Sequence, residues 1–168
     1  MPKTGALYIF GDSLSDDGAT AVQLQDEPID LYFAGRASNG LVWHEYIRNE
    51  LAVAPAASAI SQAPNAQGYL SGSAFNGINF AHGGAVSSST DTPTRPGAVQ
   101  QAEGFAALVA SGDIPAPDDQ DVFVIWIGGN DFLQFADASI ADIFRVLNLG
   151  SGIVDNIETT VESLIDVG

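Results

Sequence analysis

Three turns in this chain carry residues that could do covalent chemistry, and each closes a short apolar run. The first is Gly11-Asp12-Ser13, after Ala6-Leu7-Tyr8-Ile9-Phe10. A serine on a sharp strand-to-helix turn projects its hydroxyl at the carboxyl edge of a sheet, and N–H groups at a helix start can stabilise an oxyanion there. Ser13 is therefore a candidate nucleophile for an acyl carbonyl. Ser13-Leu14-Ser15-Asp16 equally fits an S-x-x-D helix cap, which would make Ser13 structural. The G-x-S-x-G elbow is absent, since positions 11–15 read Gly-Asp-Ser-Leu-Ser. The second turn is Gly83-Gly84, after Ile78-Asn79-Phe80-Ala81, and the third is Gly128-Gly129-Asn130-Asp131, after Val122–Ile127. By itself Asn130-Asp131 also suits a turn held by an Asx-type bond. A serine nucleophile needs a base, and the only histidines are His44 and His82. His44 falls inside a helical stretch and reads as a partly buried or surface helix residue. His82 adjoins Gly83 and reads as a wall of the same crevice.

These turns meet only if the runs before them share a sheet. Ala6–Phe10 is wholly apolar and reads as a buried strand, and Ile78–Ala81 as a second. Val122–Ile127 shows six apolar residues without alternation, the pattern of a parallel strand covered on both faces. Between them the periodicity is helical. Leu14 to about Gln25 begins a helix weakened by Gly18. Leu41–Leu51 is a better one, capped by Ser38 or Asn39. Val99, Ala102, Phe105, Ala106 and Val109 recur at helical spacing up to a stop at Gly112. Ile140–Leu147 and Ile153–Val167 are two further helices. Residues 52–76 read as a long surface loop and the Asp118–Asp121 run as a solvated one. Strand alternating with helix is α/β order with a parallel sheet. Ligands of such sheets sit beyond the carboxyl ends of the strands, so the three turns line one crevice.

Composition narrows the partners. Five Lys+Arg stand against 21 Asp+Glu, a formal charge of −16. Such a chain has no cationic supply to neutralise phosphates, so no nucleic acid is expected, nor docking on anionic membranes. Without cysteine there is no disulfide, thiol nucleophile or Cys-ligated zinc. No apolar stretch is long enough for a transmembrane segment, and Met1–Gly5 does not read as a signal peptide. The P-loop pattern is absent, Gly150-Ser151-Gly152 lacks the third glycine of a dinucleotide fingerprint, and two distant histidines make no zinc spacing. Neither cofactor nor metal is called for.

Taken together the turns carry a resemblance. Phe10–Gly18, reading Phe-Gly-Asp-Ser-Leu-Ser-Asp-Asp-Gly, closely resembles the first signature of the GDSL, or SGNH, esterase/lipase family. Asn79–Ala85 resembles its second and Ile127–Asp131 its third, while Gly35–Trp43 is similar to a stretch of the lipase and haemolysin-like branch. The resemblance runs from about residue 6 to the end. It implies a parallel-sheet α/β/α sandwich, flavodoxin-like, and a serine ester hydrolase working through an acyl-enzyme on a small-molecule or lipid ester. It implies Ser13 as nucleophile and, through its backbone N–H, as one oxyanion donor. Gly84 would supply a second from its backbone, and Asn130 a third from its side-chain amide. Family members are often secreted.

One family feature is missing. Asp-x-x-His, which supplies the base and its orienting acid, occurs nowhere in the 168 residues. The resemblance then implies that residues 1–168 are the N-terminal part of a single domain, C-terminally incomplete, and inactive alone. The competing expectation is a truncated, non-catalytic relative that binds acyl or glycan ligands. Family topology further implies three strands ordered second–first–third, with Val122–Ile127 left as an unprotected edge.

Overall fold

Leu7-Tyr8-Ile9-Phe10 has no charged side chain to give to water, and it takes the middle of a parallel sheet, with a strand paired on each edge. The computed structural model describes residues 5–18, 32–50, 57–58, 77–90, 95–133 and 143–168. Its strands are β1 (Leu7–Gly11), β2 (Ala57–Ser58), β3 (Ile78–Asn79) and β4 (Val122–Trp126), in the spatial order β2-β3-β1-β4 and all parallel. Leu7 stands opposite Val122 and Gly11 opposite Trp126, while Ile9 stands opposite Asn79. The helices are α1 (Trp43–Glu50), α2 (Ala98–Ser111), α3 (Gly129–Leu133) and α4 (Ile143–Ile165). This is an α/β fold with the expected strand order, and among the described residues β4 pairs on one side only.

Alternate residues of the strands build the core on one face. Tyr8 and Phe10 of β1, with Ile78 and Phe80, pack against Ala102 and Phe105 of α2 and Leu164 of α4. The aromatic rings interlock, with Phe105 edge-on to Tyr8 at 4.8 Å and Phe80 stacked on Phe10 at 5.1 Å between centroids. Contacts of this kind add about 0.5–1.5 kcal/mol each to area burial. On the opposite face, Trp43 of α1 lies 5.8 Å from the Trp126 ring. Gly112 ends α2 in the left-handed conformation at φ 77°, as its position in the sequence requires.

Several expectations are corrected. The stretch 52–76 is not loop throughout, because Ala57–Ser58 pairs with β3. Two small residues can join an edge through backbone bonds alone, which leaves no apolar period to read. The two C-terminal helices are one, since α4 runs through Gly150 and Gly152. Each glycine costs about 1 kcal/mol against alanine in a helix, and packing of the stripe that buries Ile153 and Leu164 outweighs it. Nor is β4 covered on both faces: Val122 is 53 % and Trp126 49 % exposed, as befits an edge strand. Residues 14–18 form turns and bends rather than a helix start, and the rest of that expected helix, 19–25, lies outside the described residues. Finally, α1 is capped by Glu45 rather than by Ser38 or Asn39. The Glu45 carboxylate accepts the Val42 N–H at 2.9 Å and holds Arg36 in a two-pronged ion pair at 2.6 and 2.7 Å. The Asp118–Asp121 run is also not simply solvated, because Asp121 accepts the Ala6 N–H at 2.6 Å and so anchors the entry to β1.

Candidate active site

Parallel strands put their carboxyl ends on one edge, and there the turns after β1, β3 and β4 are tied to one another. The His82 N–H donates to the Gly11 carbonyl at 3.1 Å, and the Gly83 N–H to Asp16 Oδ2 at 2.8 Å, joining the second turn to the first. Asn130 Nδ2 donates to the Ala85 carbonyl at 2.7 Å, joining the third turn to the second. Asp131, buried behind Asn130, accepts both the N–H and the hydroxyl of Ser87 at 2.9 and 2.7 Å. Asn156 of α4 donates to the same Ser87 hydroxyl at 3.0 Å. The third turn is thereby held from both sides.

Ser13 lies at the top of this edge, partly buried. Its turn closes on Asp12, whose carbonyl accepts the Ser15 and Asp16 N–H groups and whose Oδ1 accepts the Leu14 N–H at 3.0 Å. The helix-cap reading of Ser13 therefore fails locally. Asp12 performs the local capping, and Asp16 turns to the Gly18 and Gly83 N–H groups. Among the described residues, no hydrogen bond engages the Ser13 hydroxyl, the Ser13 N–H or the Gly84 N–H. Asn130 spends one amide hydrogen on Ala85 and has a second to give. Gly84 holds φ at 80°, a region that glycine enters without the Cβ penalty. Gly11 is equally constrained, because a Cβ there would sit 2.7 Å from the Trp126 carbonyl oxygen.

Beneath the serine turn lies a buried polar cluster that the sequence did not reveal. The Ser15 carbonyl accepts from Asn79 Nδ2 and from His44 Nε2, both at 2.9 Å. A carbonyl only accepts, so His44 carries a proton on Nε2. Trp43 Nε1 donates to the Ser15 hydroxyl at 2.9 Å. His44 is thus not a surface residue but a buried support of the turn. Gln101 of α2 plays the same part from the other side. Its Oε1 accepts the Gly11 N–H at 2.8 Å, and its Nε2 donates to the Gly11 and Pro96 carbonyls at 2.9 Å. A signal for Gln101 existed: it interrupts the buried stripe Ala98, Ala102, Phe105, and a polar residue on a buried face is the informative exception. Asn79 interrupts the apolar strand Ile78–Ala81 in the same way.

Electrostatics follow burial. His82 is 3 % exposed, and its burial pushes the imidazole pKa down from 6.5, against the pull of Asp16 and Asp17. Burial pushes the Asp12 carboxyl up, the Leu14 N–H opposes this, and the negative Asp131 adds to the rise. Among the described residues neither histidine is hydrogen-bonded to the Ser13 hydroxyl. Among the described residues, the joined turns therefore carry a hydroxyl and several N–H donors that no hydrogen bond engages.

With this geometry in place, comparison with known proteins is specific. The family model of GDSL-like lipases and acylhydrolases matches residues 7–167. The chain belongs to that family, whose members include ester hydrolases. It is similar to a phosphatidylcholine-sterol acyltransferase of Aeromonas hydrophila, 28 % identical over 147 residues, covering 86 % of this chain and 38 % of the relative. It is also similar to a GDSL esterase/lipase of Arabidopsis thaliana, 27 % identical over 144 residues, covering 79 % and 39 %. The chain thus spans about two fifths of the length of these curated relatives. No helix among the described residues is long and apolar enough to cross a membrane.

Proposed function

We propose that this chain carries the nucleophile and the oxyanion-binding half of a serine ester hydrolase. Ser13 Oγ attacks the acyl carbonyl, and the oxygen that becomes negative is met by the Ser13 N–H, the Gly84 N–H and the free amide hydrogen of Asn130. The alkoxide leaves with a proton, an acyl-enzyme remains on Ser13, and water or another alcohol resolves it. The observation that supports this reading is the joining of three turns at one sheet edge, which among the described residues carry an unengaged hydroxyl and unengaged donors. Preorganised donors of this kind are worth roughly 10²–10³ in kcat apiece.

The base is the missing part of this mechanism. His44 is committed to Ser15, and burial disfavours protonation of His82. We assign the base to an Asp-x-x-His segment following Gly168, so that residues 1–168 are the N-terminal part of one domain. Without it Ser13 stays a neutral alcohol, and donors with binding alone leave roughly 10³–10⁴ over water. The test is hydrolysis of p-nitrophenyl esters. The 168 residues alone should show negligible turnover, and a chain extended through an Asp-x-x-His should turn over and collapse on Ser13→Ala. An extended chain that binds acyl or glycan ligands without turnover would instead support the non-catalytic alternative.

A further inference from the structure

Arginine is scarce here, with 5 Lys+Arg against 21 Asp+Glu, and an arginine in such a chain is expected to be captured by a carboxylate. Arg36 is captured, by Glu45. Arg95 is not: it is exposed, and among the described residues no ion pair or hydrogen bond engages its guanidinium. The acids of the neighbouring turns already have partners, Asp12 in Leu14 N–H, Asp16 in Gly18 and Gly83 N–H, and Asp131 in Ser87.

Its location is specific. A methyl placed on Gly84 would stand 3.7 Å from both Arg95 Cδ and Arg95 Nη1, so the side chain lies over the glycine assigned to the oxyanion. The backbone beneath it is fixed. Thr90 Oγ1 donates to the Arg95 carbonyl at 2.8 Å. The next carbonyl, of Pro96, is held by the same Gln101 amide that holds Gly11, two residues before Ser13. The backbone that carries the guanidinium is therefore tied to the nucleophile turn. We propose that Arg95 is a specificity-determining residue, binding a phosphate or carboxylate group that an ester carries close to its scissile carbonyl. This rests on the reading of Ser13 and Gly84 given above. The planar fork of arginine suits both oxyanion types. A cation beside Gly84 also offsets, for an anionic substrate, the field of a chain of charge −16.

The test uses ground-state ligands, so it needs no base. The 168-residue chain is titrated at low ionic strength with n-butyl phosphate, with monobutyl succinate and with neutral N-butylacetamide, following the Gly84 and Asn130 amide signals by NMR. Arg95→Met should weaken at least one anion by about fivefold and leave the amide unchanged, with Arg95→Lys in between. The anion that loses more identifies the group recognised, phosphate or carboxylate. Added salt should weaken the anions alone. Unchanged anion affinity in Arg95→Met, or an equal loss for the neutral ligand, overturns the proposal. Failure of the nucleophile reading shows separately, as ester turnover by an extended chain that survives Ser13→Ala.

Discussion

Replacing Gln101 by methionine isolates the tie between α2 and the nucleophile strand, because the two side chains are similar in volume and no large cavity is opened. Gln101 makes three hydrogen bonds, to Gly11 N–H, Gly11 carbonyl and Pro96 carbonyl, and is 2 % exposed. Methionine offers none of them. The Gly11 carbonyl keeps the His82 N–H, so its loss is small. The Gly11 N–H is left buried without an acceptor, at about 1–3 kcal/mol, and the Pro96 carbonyl loses a donor worth roughly 0.5–1.5 kcal/mol. The expected destabilisation is about 3 kcal/mol, or a fall in Tm of roughly 6–12 °C for a domain of this size. Urea denaturation followed by circular dichroism reads the first quantity, and hydrogen exchange at the Gly11 amide reads its cause. A loss below about 1 kcal/mol, with Gly11 exchange unchanged, would refute the assignment of Gln101 as the tie.

Two further outcomes follow from charge and burial. Glu45→Gln should cost about 1–3 kcal/mol, since Arg36 and Glu45 are only 13 % and 19 % exposed and the carboxylate also caps α1; denaturation of the variant checks it. His82 is buried with its pKa held below 6.5, so the unfolded chain binds the proton more readily. Its contribution to stability is present above about pH 6.5 and is lost as pH falls towards the folded value, and His82→Gln should flatten that part of a stability–pH curve.

How much of this was legible in the sequence differs by element. The strands β1 and β4 and the stop at Gly112 were readable because apolar runs and a left-handed glycine are local signals. The joining of the turns that carry Ser13, Gly84 and Asn130 followed from parallel-sheet logic, and the roles proposed for these residues come from family resemblance. What stayed hidden was relational. Ala57–Ser58 forms a strand only because β3 offers an edge. The clamp on Ser15 needs Asn79 and His44, 64 and 29 residues away in sequence, and no spacing rule connects them. The cap of α1 was misplaced because Ser38 and Asn39 are good capping types, whereas Glu45 reaches back to Val42 and binds Arg36 as well.

The central claim, that Ser13 is the nucleophile of an oxyanion site shared by three turns, is tested most directly by its capture. A chain extended past Gly168 through an Asp-x-x-His is treated with an alkyl fluorophosphonate, and the adduct is located by peptide mass mapping with its rate of formation. The phosphonyl mass should fall on the peptide containing Ser13, vanish in Ser13→Ala, and form roughly 10²–10³ slower in Asn130→Ala, since the phosphonyl oxygen occupies the same donors. An adduct on another residue, or one that persists in Ser13→Ala, would contradict the account.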